Sequence, residues 1–314
     1  MQPLTILGPV GDNPAKATLH YGSNVLDALR LLPDNSINMV CTYMSKPSTS
    51  YTIGGKEGSR LRKDEGYKHS IVMGKPQVKG LKTKDLVGVP WRVALALQAD
   101  GWWLRNDIIW QKGNAMPSSV KDRFSCKYEH VFLLSKSERY FFDLEAVKVP
   151  LLYGAGQASE NVALKNPGDI WMVNTTSYKG AHFAVWPETL VEPMVKAGTS
   201  EKGRCPTCKT PWQRITEKKD GVPGADGKPL RVPVTIGWVP SCDCDEHAPE
   251  RCVVLDTFSG SGTTGVVAMS LGRDYVGLDI SKKYRPLASA RLQGLPAPLD
   301  DDDGGSDLIG DLFK

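Results

Sequence analysis

Cys252-Val253-Val254-Leu255-Asp256-Thr257-Phe258-Ser259-Gly260-Ser261-Gly262-Thr263-Thr264-Gly265 begins as an apolar run, breaks into small residues, and then resumes in helix-compatible ones. The pattern predicts a buried strand, a glycine-rich turn and a helix opening near Thr263. Small side chains at 259 to 262 let backbone approach a ligand closely. The helix start adds unpaired N–H groups and a positive dipole end, which together make a nucleotide-sized site. A second apolar strand, Asp274-Tyr275-Val276-Gly277-Leu278-Asp279-Ile280, places Asp279 about 20 residues past the turn, where doubly wound folds keep a ribose-binding carboxylate. A GxG turn also occurs as a plain tight turn, so its surroundings decide the reading.

The chain has 314 residues, 40% of them apolar and 24% charged, enough for one substantial core and a small insertion. No stretch approaches the roughly 18 consecutive apolar residues of a spanning helix, and Met1-Gln2-Pro3-Leu4 begins no signal peptide. A cytoplasmic protein with no membrane partner is expected. The net charge of +4 is modest but uneven: Lys46 to Lys84 holds ten Lys or Arg against Glu57, Asp64 and Glu65. This Gly- and Ser-rich stretch lacks a hydrophobic period, so it is expected to be a mobile basic loop, suited to a phosphate backbone or simply solvated.

Seven cysteines without a secretion signal argue against a disulfide framework. Cys205-Pro-Thr-Cys208 and Cys242-Asp-Cys244 bracket a polar segment of 33 residues rich in Gly and Pro. Two such knuckles closing together make a tetrahedral four-thiolate zinc site, structural because no coordination position stays open. His247 is an alternative donor, and four reduced surface thiols are the plain alternative. Cys41, Cys126 and Cys252 lie in apolar contexts and read as core.

Upstream, Asn24 to Leu32 reads as a helix and Ile37 to Thr42 as the strand after it. A helix from Pro90 to about Gln98 is stopped by Gly101, and strands follow at Trp103–Trp110 and Tyr128–Leu134. Trp91, Trp102 and Trp103, taken singly, read as core.

Asp256-x-Phe258-x-Gly260-Ser-Gly262-Thr263-Thr-Gly265, Gly277-Leu-Asp279-Ile-Ser-x-x-Tyr284 and Ala288-Ser-Ala-Arg-Leu292 resemble the S-adenosylmethionine motif of DNA amino-methyltransferases. Val89-Pro-Trp-Arg92, Asp107-Ile-Ile-Trp-Gln-Lys112, Asn114 to Arg123, Tyr140-Phe-Phe-Asp143 and His182-Phe-Ala-Val-Trp-Pro-Glu188 are similar to the catalytic half of the same family. The resemblance covers most of residues 18 to 292. It implies a Rossmann-like α/β class I methyltransferase sheet, circularly permuted in the beta-class order, here with a small zinc-ribbon-like insertion. It further implies S-adenosylmethionine as cofactor and methyl transfer to N4 of cytosine or N6 of adenine in duplex DNA. Carried onto this chain, the cofactor residues are Asp256, Phe258, Gly260, Gly262, Thr263 and Asp279. Trp186 and Pro187 then open a helix on the methionine side, and Asn114, Lys121 and Arg123 stand toward DNA.

The chain departs from that pattern after Thr42. The family runs directly into Ser-Pro-Pro-Tyr or Asp-Pro-Pro-Tyr, which orients the target amino group and stacks on the flipped base. This chain reads Tyr43-Met44-Ser45-Lys46-Pro47-Ser48-Thr49-Ser50-Tyr51, so the expected acceptor residues reduce to Tyr43 and Ser45, with Tyr51 behind them. Thr42 and Ser50 look like the edges of an internal deletion of one strand and its covering helix, which leaves an exposed sheet edge. Ser23 and Asn38 stand where the family usually has Asp, and Thr257 where it has Pro. An inactive relative that keeps cofactor or DNA binding is therefore the alternative reading. A nicotinamide dehydrogenase meets only the Gly260-x-Gly262-x-x-Gly265 spacing.

The expected organisation is a catalytic half and cofactor helix over 1–204, the four-cysteine insertion over 205–244, the cofactor half over 245–295 and a disordered acidic tail over 296–314. Within the tail, residues 309–313 (Ile309-Gly310-Asp311-Leu312-Phe313) resemble sliding-clamp binding peptides.

Overall fold

The computed structural model describes residues 3–8, 14–42, 85–115, 117, 119–150, 164–176, 185–223, 229–245 and 248–296. The basic stretch 46–84, the acidic tail with residues 309–313, and His247 lie outside them. In chain order the elements are β1 Leu4–Leu7, β2 Lys16–Tyr21, α1 Val25–Leu29, β3 Met39–Val40, α2 Val89–Ala99, β4 Trp103–Gln111 and β5 Tyr128–Ser135. There follow β6 Val149–Pro150, β7 Leu164–Lys165, β8 Ile170–Met172, α3 Glu188–Gly198, β9 Gln213–Pro223 and β10 Pro229–Val239. The chain closes with β11 Val253–Asp256, α4 Thr263–Ser270, β12 Asp274–Asp279 and α5 Tyr284–Leu292.

The main sheet has the order β1-β2-β12-β11-β3, with β2, β12, β11 and β3 mutually parallel and β1 antiparallel at one edge. Parallel strands are covered on both faces, which is why β11 and β12 read as nearly continuous apolar runs. On one face Ala17, Leu19, Tyr21, Val254 and Tyr275 pack with Leu190, Val191 and Val195 of α3, Val267 of α4 and Ala288 of α5. On the other, Leu255 and Leu278 pack with Ala28 of α1. A Cβ on Gly265 would come within 2.6 Å of the Tyr275 ring, so α4 lies this close to β12 only because that position carries no side chain.

A second sheet has the order β5-β4-β8, antiparallel between β4 and β5 and parallel between β4 and β8. β9 and β10 form a separate antiparallel ribbon, anchored where Arg214 bonds to Asp143 and Glu201 and stacks over Trp238.

Several expectations change here. α1 ends at Leu29, not Leu32, because Pro33 and the left-handed Asn35 at φ 56° turn the chain. The strand expected over Ile37 to Thr42 keeps regular pairing only at Met39 and Val40, since among the described residues it is an edge strand bonded to β11 alone. Cys126 is exposed rather than core, because it lies in the loop before β5. Trp91 and Trp103 are 39% and 43% exposed rather than core; the Trp91 ring packs edge-on against His130 and Phe132 of β5 and leaves its remaining surface open.

Candidate cofactor site and cysteine cluster

The carboxyl ends of the parallel strands meet at one end of the sheet, bringing Tyr21, Thr42, Asp256 and Asp279 together where ligands of open α/β sheets bind. The turn after β11 uses left-handed backbone at Gly260 (φ 49°) and Gly262 (φ 79°), and α4 starts at Thr263 with its dipole facing the turn. Gly260 and Gly262 are therefore there for backbone shape as well as for closeness.

Asp279 braces the turn, accepting from the Gly260 amide (2.8 Å) through Oδ2 and from the Ser281 amide (2.8 Å) through Oδ1. Each carboxylate oxygen keeps acceptor capacity for a ligand hydroxyl. Burial raises the Asp279 carboxyl above its ordinary value. Asp256 is 1% exposed and lies beneath the turn, accepting from Thr42 Oγ1 (2.7 Å), Phe258 N (3.0 Å) and Thr264 Oγ1 (2.6 Å). Burial pushes its carboxyl up to about 6 against these donors. Asp256 thus supports the loop from inside, whereas Phe258 is exposed at its rim.

Two further groups went unread in the sequence. The Tyr21 hydroxyl donates to the Gly260 carbonyl at 2.8 Å, and the Ser259 hydroxyl lies 2.7 Å from both Tyr21 and Tyr275 hydroxyls, a buried cluster under the turn. Arg291 of α5 donates to Ser261 Oγ (3.1 Å), Thr263 Oγ1 (2.7 Å) and Glu188 Oε1 (2.7 Å), tying the loop to the first turn of α3. Pro187 caps that helix and Trp186 is buried beside it. Only the Ala-Ser-Ala-Arg-Leu resemblance pointed toward Arg291.

Tyr43 and Ser45 lie outside the described residues, as do Tyr51 and residues 182–184. Thr42, the last described residue of that segment, also accepts from Thr257 Oγ1 at 3.1 Å. Asn114 engages its amide within the chain, with Nδ2 to the Thr175 carbonyl (2.9 Å) and Oδ1 to the Thr175 amide (2.8 Å), so it pins the turn after β4 to the strand end after β8. Lys121 and Arg123 are exposed in the loop before β5, beside the fully exposed Phe124. Lys112 pairs with Glu129, and His130 Nδ1 lies 2.9 Å from Asp107 Oδ1.

At the base of the β9–β10 ribbon the sulfurs of Cys205, Cys208, Cys242 and Cys244 all lie within 4.8 Å of one another. Lys209 takes the left-handed conformation (φ 63°) that folds the first knuckle back. Hydrogen bonding to Thr210 lowers the Cys208 thiol to about 6, while the neighbouring Cys208 drives Cys244 up to about 12. Four thiols this close do not all ionise without a cation between them, and the donor set fits one tetrahedral metal ion.

With this geometry in hand, comparison with known proteins identifies the family. Residues 29–205 and 245–290 match the N6/N4 methyltransferase family described as DNA methylase. The chain belongs to that family. The stretch between the two matched segments holds the ribbon and three of the four cysteines. The chain is 35% identical to the Type II methyltransferase M.SmaI of Serratia marcescens over 243 residues, 77% of this chain and 64% of that protein. M.Cfr9I of Citrobacter freundii is 34% identical over 268 residues, 85% of this chain and 68% of that one. The chain thus spans about two thirds of the length of these relatives. Among solved structures, the cytosine-N4-specific PvuII DNA methyltransferase superposes with a TM-score of 0.50 at 17% identity, covering 89% of this chain and 86% of that one, a likeness of fold. No helix of the described residues is long and apolar enough to cross a membrane.

Proposed function

We propose that the chain is a DNA amino-methyltransferase that binds S-adenosylmethionine at the 256–263 turn and methylates N4 of cytosine or N6 of adenine in duplex DNA. The observation that carries this reading is the turn itself, held between the buried Asp256 and the half-buried Asp279 at the carboxyl end of a parallel sheet. Bound there, the cofactor supplies an electrophilic methyl on a sulfonium. Asp279 would accept the ribose hydroxyls, and Phe258 would cover the adenine. Gly260 and Gly262 would admit the methionine backbone, with Thr263 and the Trp186–Pro187 entry to α3 on its carboxylate side. Asp256 acts one layer beneath, holding Phe258 and Thr264 in place. Tyr43 and Ser45 are the acceptor-side residues, and Lys121 and Arg123 the DNA contacts, with Asn114 shaping their loop. The catalytic half preceding the cofactor half in the chain supports a circular permutation, with boundaries at 204, 244 and 295.

The cysteine cluster is read as a structural zinc site within an insertion over 205–244, supported by its four convergent sulfurs. Elemental analysis of gently purified protein should find about one zinc per chain, and none would reject the site.

A second reading, an inactive relative that retains binding, is favoured by the sequence after Thr42, which lacks the family tetrapeptide. Transfer of labelled methyl to mixed-sequence duplex DNA separates the two. Incorporation above a Gly260→Asp control establishes the enzyme. Tight cofactor binding without incorporation establishes the inactive relative, and calorimetry showing no uptake at millimolar cofactor removes both.

A further inference from the structure

The cysteine cluster and the cofactor turn lie at opposite ends of the same strands, joined by β3. Asn38, immediately before that strand, is where they connect. Its Oδ1 accepts from the Val253 amide (3.0 Å) and from Arg204 Nη1 (3.0 Å), while its Nδ2 donates to the Lys209 carbonyl (3.1 Å). Arg204 precedes Cys205 and Lys209 follows Cys208, so this one amide touches both flanks of the first knuckle. Glu250, a few residues past the second knuckle, completes the joint. Its Oε1 takes Arg204 Nε and Lys209 Nζ, each at 2.8 Å, and its backbone exchanges bonds with that of Arg204. Arg204 also reaches the Ser36 carbonyl at 2.5 Å.

β3 needs such an anchor. It is two residues long and lies at the sheet edge, held by Asn38 N to Val253 O (3.0 Å), Cys41 N to Leu255 O (2.8 Å) and the β11 pairing between them. Short edge strands with few bonds are the first parts of a sheet to open. At its far end Thr42 donates to Asp256, which in turn holds Phe258 and Thr264 of the cofactor turn.

We propose that the metal-closed cysteine knuckle clamps the start of β3 through Asn38, and through β3 and Thr42 sets the cofactor turn, so that metal occupancy regulates affinity for the adenosyl donor. The proposal rests on the zinc and cofactor readings above. It also accounts for a departure noted in the sequence: the usual aspartate at position 38 offers no donor to the Lys209 carbonyl, whereas an asparagine satisfies all three partners in a single orientation.

The test uses the full chain in four forms: zinc-loaded, stripped by chelator, refilled with zinc after stripping, and Asn38→Asp. Zinc content, calorimetric titration with S-adenosylmethionine, and hydrogen exchange of residues 38–42 are measured on each. Stripping and Asn38→Asp should each weaken donor binding about fivefold, at the low end of typical coupling between sites, and accelerate exchange at 38–42. Refilling should restore both. Because refilling is done on the unmutated chain, a folding defect in Asn38→Asp does not blunt the test. If zinc is present but neither readout moves on stripping, the clamp is overturned while the metal reading stands. If no zinc is found, both fall. If the loaded chain takes up no donor, the cofactor reading and the regulatory proposal fall together.

Discussion

Two helices meet opposite fates in this fold, and the one richer in apolar residues is the more exposed. α4, Thr263–Ser270, buries six of its eight residues between β12, α3 and α5. α2, Val89–Ala99, carries Val89, Trp91, Val93, Leu95 and Leu97 yet buries Ala94 alone, leaving Leu95 54% exposed. Composition does not explain the difference. Their partners do: α4 follows a central strand of the five-stranded sheet, whereas α2 precedes β4 of the smaller, three-stranded one. Among the described residues β3 is an edge strand, with Val40 49% exposed.

If the contrast is right, substitutions on the two sides differ sharply in cost. The largest effect is expected at Gly265, where a valine would drive its side chain into Tyr275 and Leu292. Gly265→Val should lower unfolding free energy by about 3 kcal/mol, read from denaturant melts, and an unchanged midpoint would show that α4 and β12 are less tightly apposed than described.

Next comes Asp256. Its folded carboxyl titrates near 6, above the ordinary 3.8, so folding takes up a proton between those values. This group's contribution is therefore most favourable below about pH 4 and is lost as pH rises through 6, a change of about 3 kcal/mol. Comparing denaturant melts of the chain and Asp256→Asn from pH 4 to 7 isolates it. The variant should become relatively more stable as pH rises, and parallel profiles would mean that the carboxylate is not buried as described.

A smaller loss is expected from Arg291→Lys, which keeps the charge but not the fork that reaches Ser261, Thr263 and Glu188 together. About 1 kcal/mol of cofactor affinity, close to fivefold in Kd by calorimetry, should go. Equal binding would remove the loop from Arg291's influence.

Smallest of all, Leu95→Ser on the open face of α2 should shift stability by less than about 0.5 kcal/mol. A loss of about 2 kcal/mol would instead mean that α2 is covered, and would dissolve the contrast between the two helices.

What could be read from residue order alone was local. The strand, glycine turn and helix at 253–270 were legible because left-handed glycines, a preceding apolar strand and a helix start are demands made on neighbouring residues. The two cysteine pairs were legible for the same reason, since each knuckle is a turn of a few residues. The ends of α2, β4 and β5 followed from Pro, Gly and apolar spacing and fell within a residue or so of their positions.

Packing chose everything that links distant residues. Asp256 became a support beneath the turn through Thr42, 214 positions away, and Asn38 became a joint through Arg204, 166 positions away. Asn114 engaged Thr175, and Trp91 stayed at the surface. No local pattern encodes such partners, because a side chain's hydrogen bonds and burial depend on which strands pair and which helix covers them. Those choices are made when separate segments share one core.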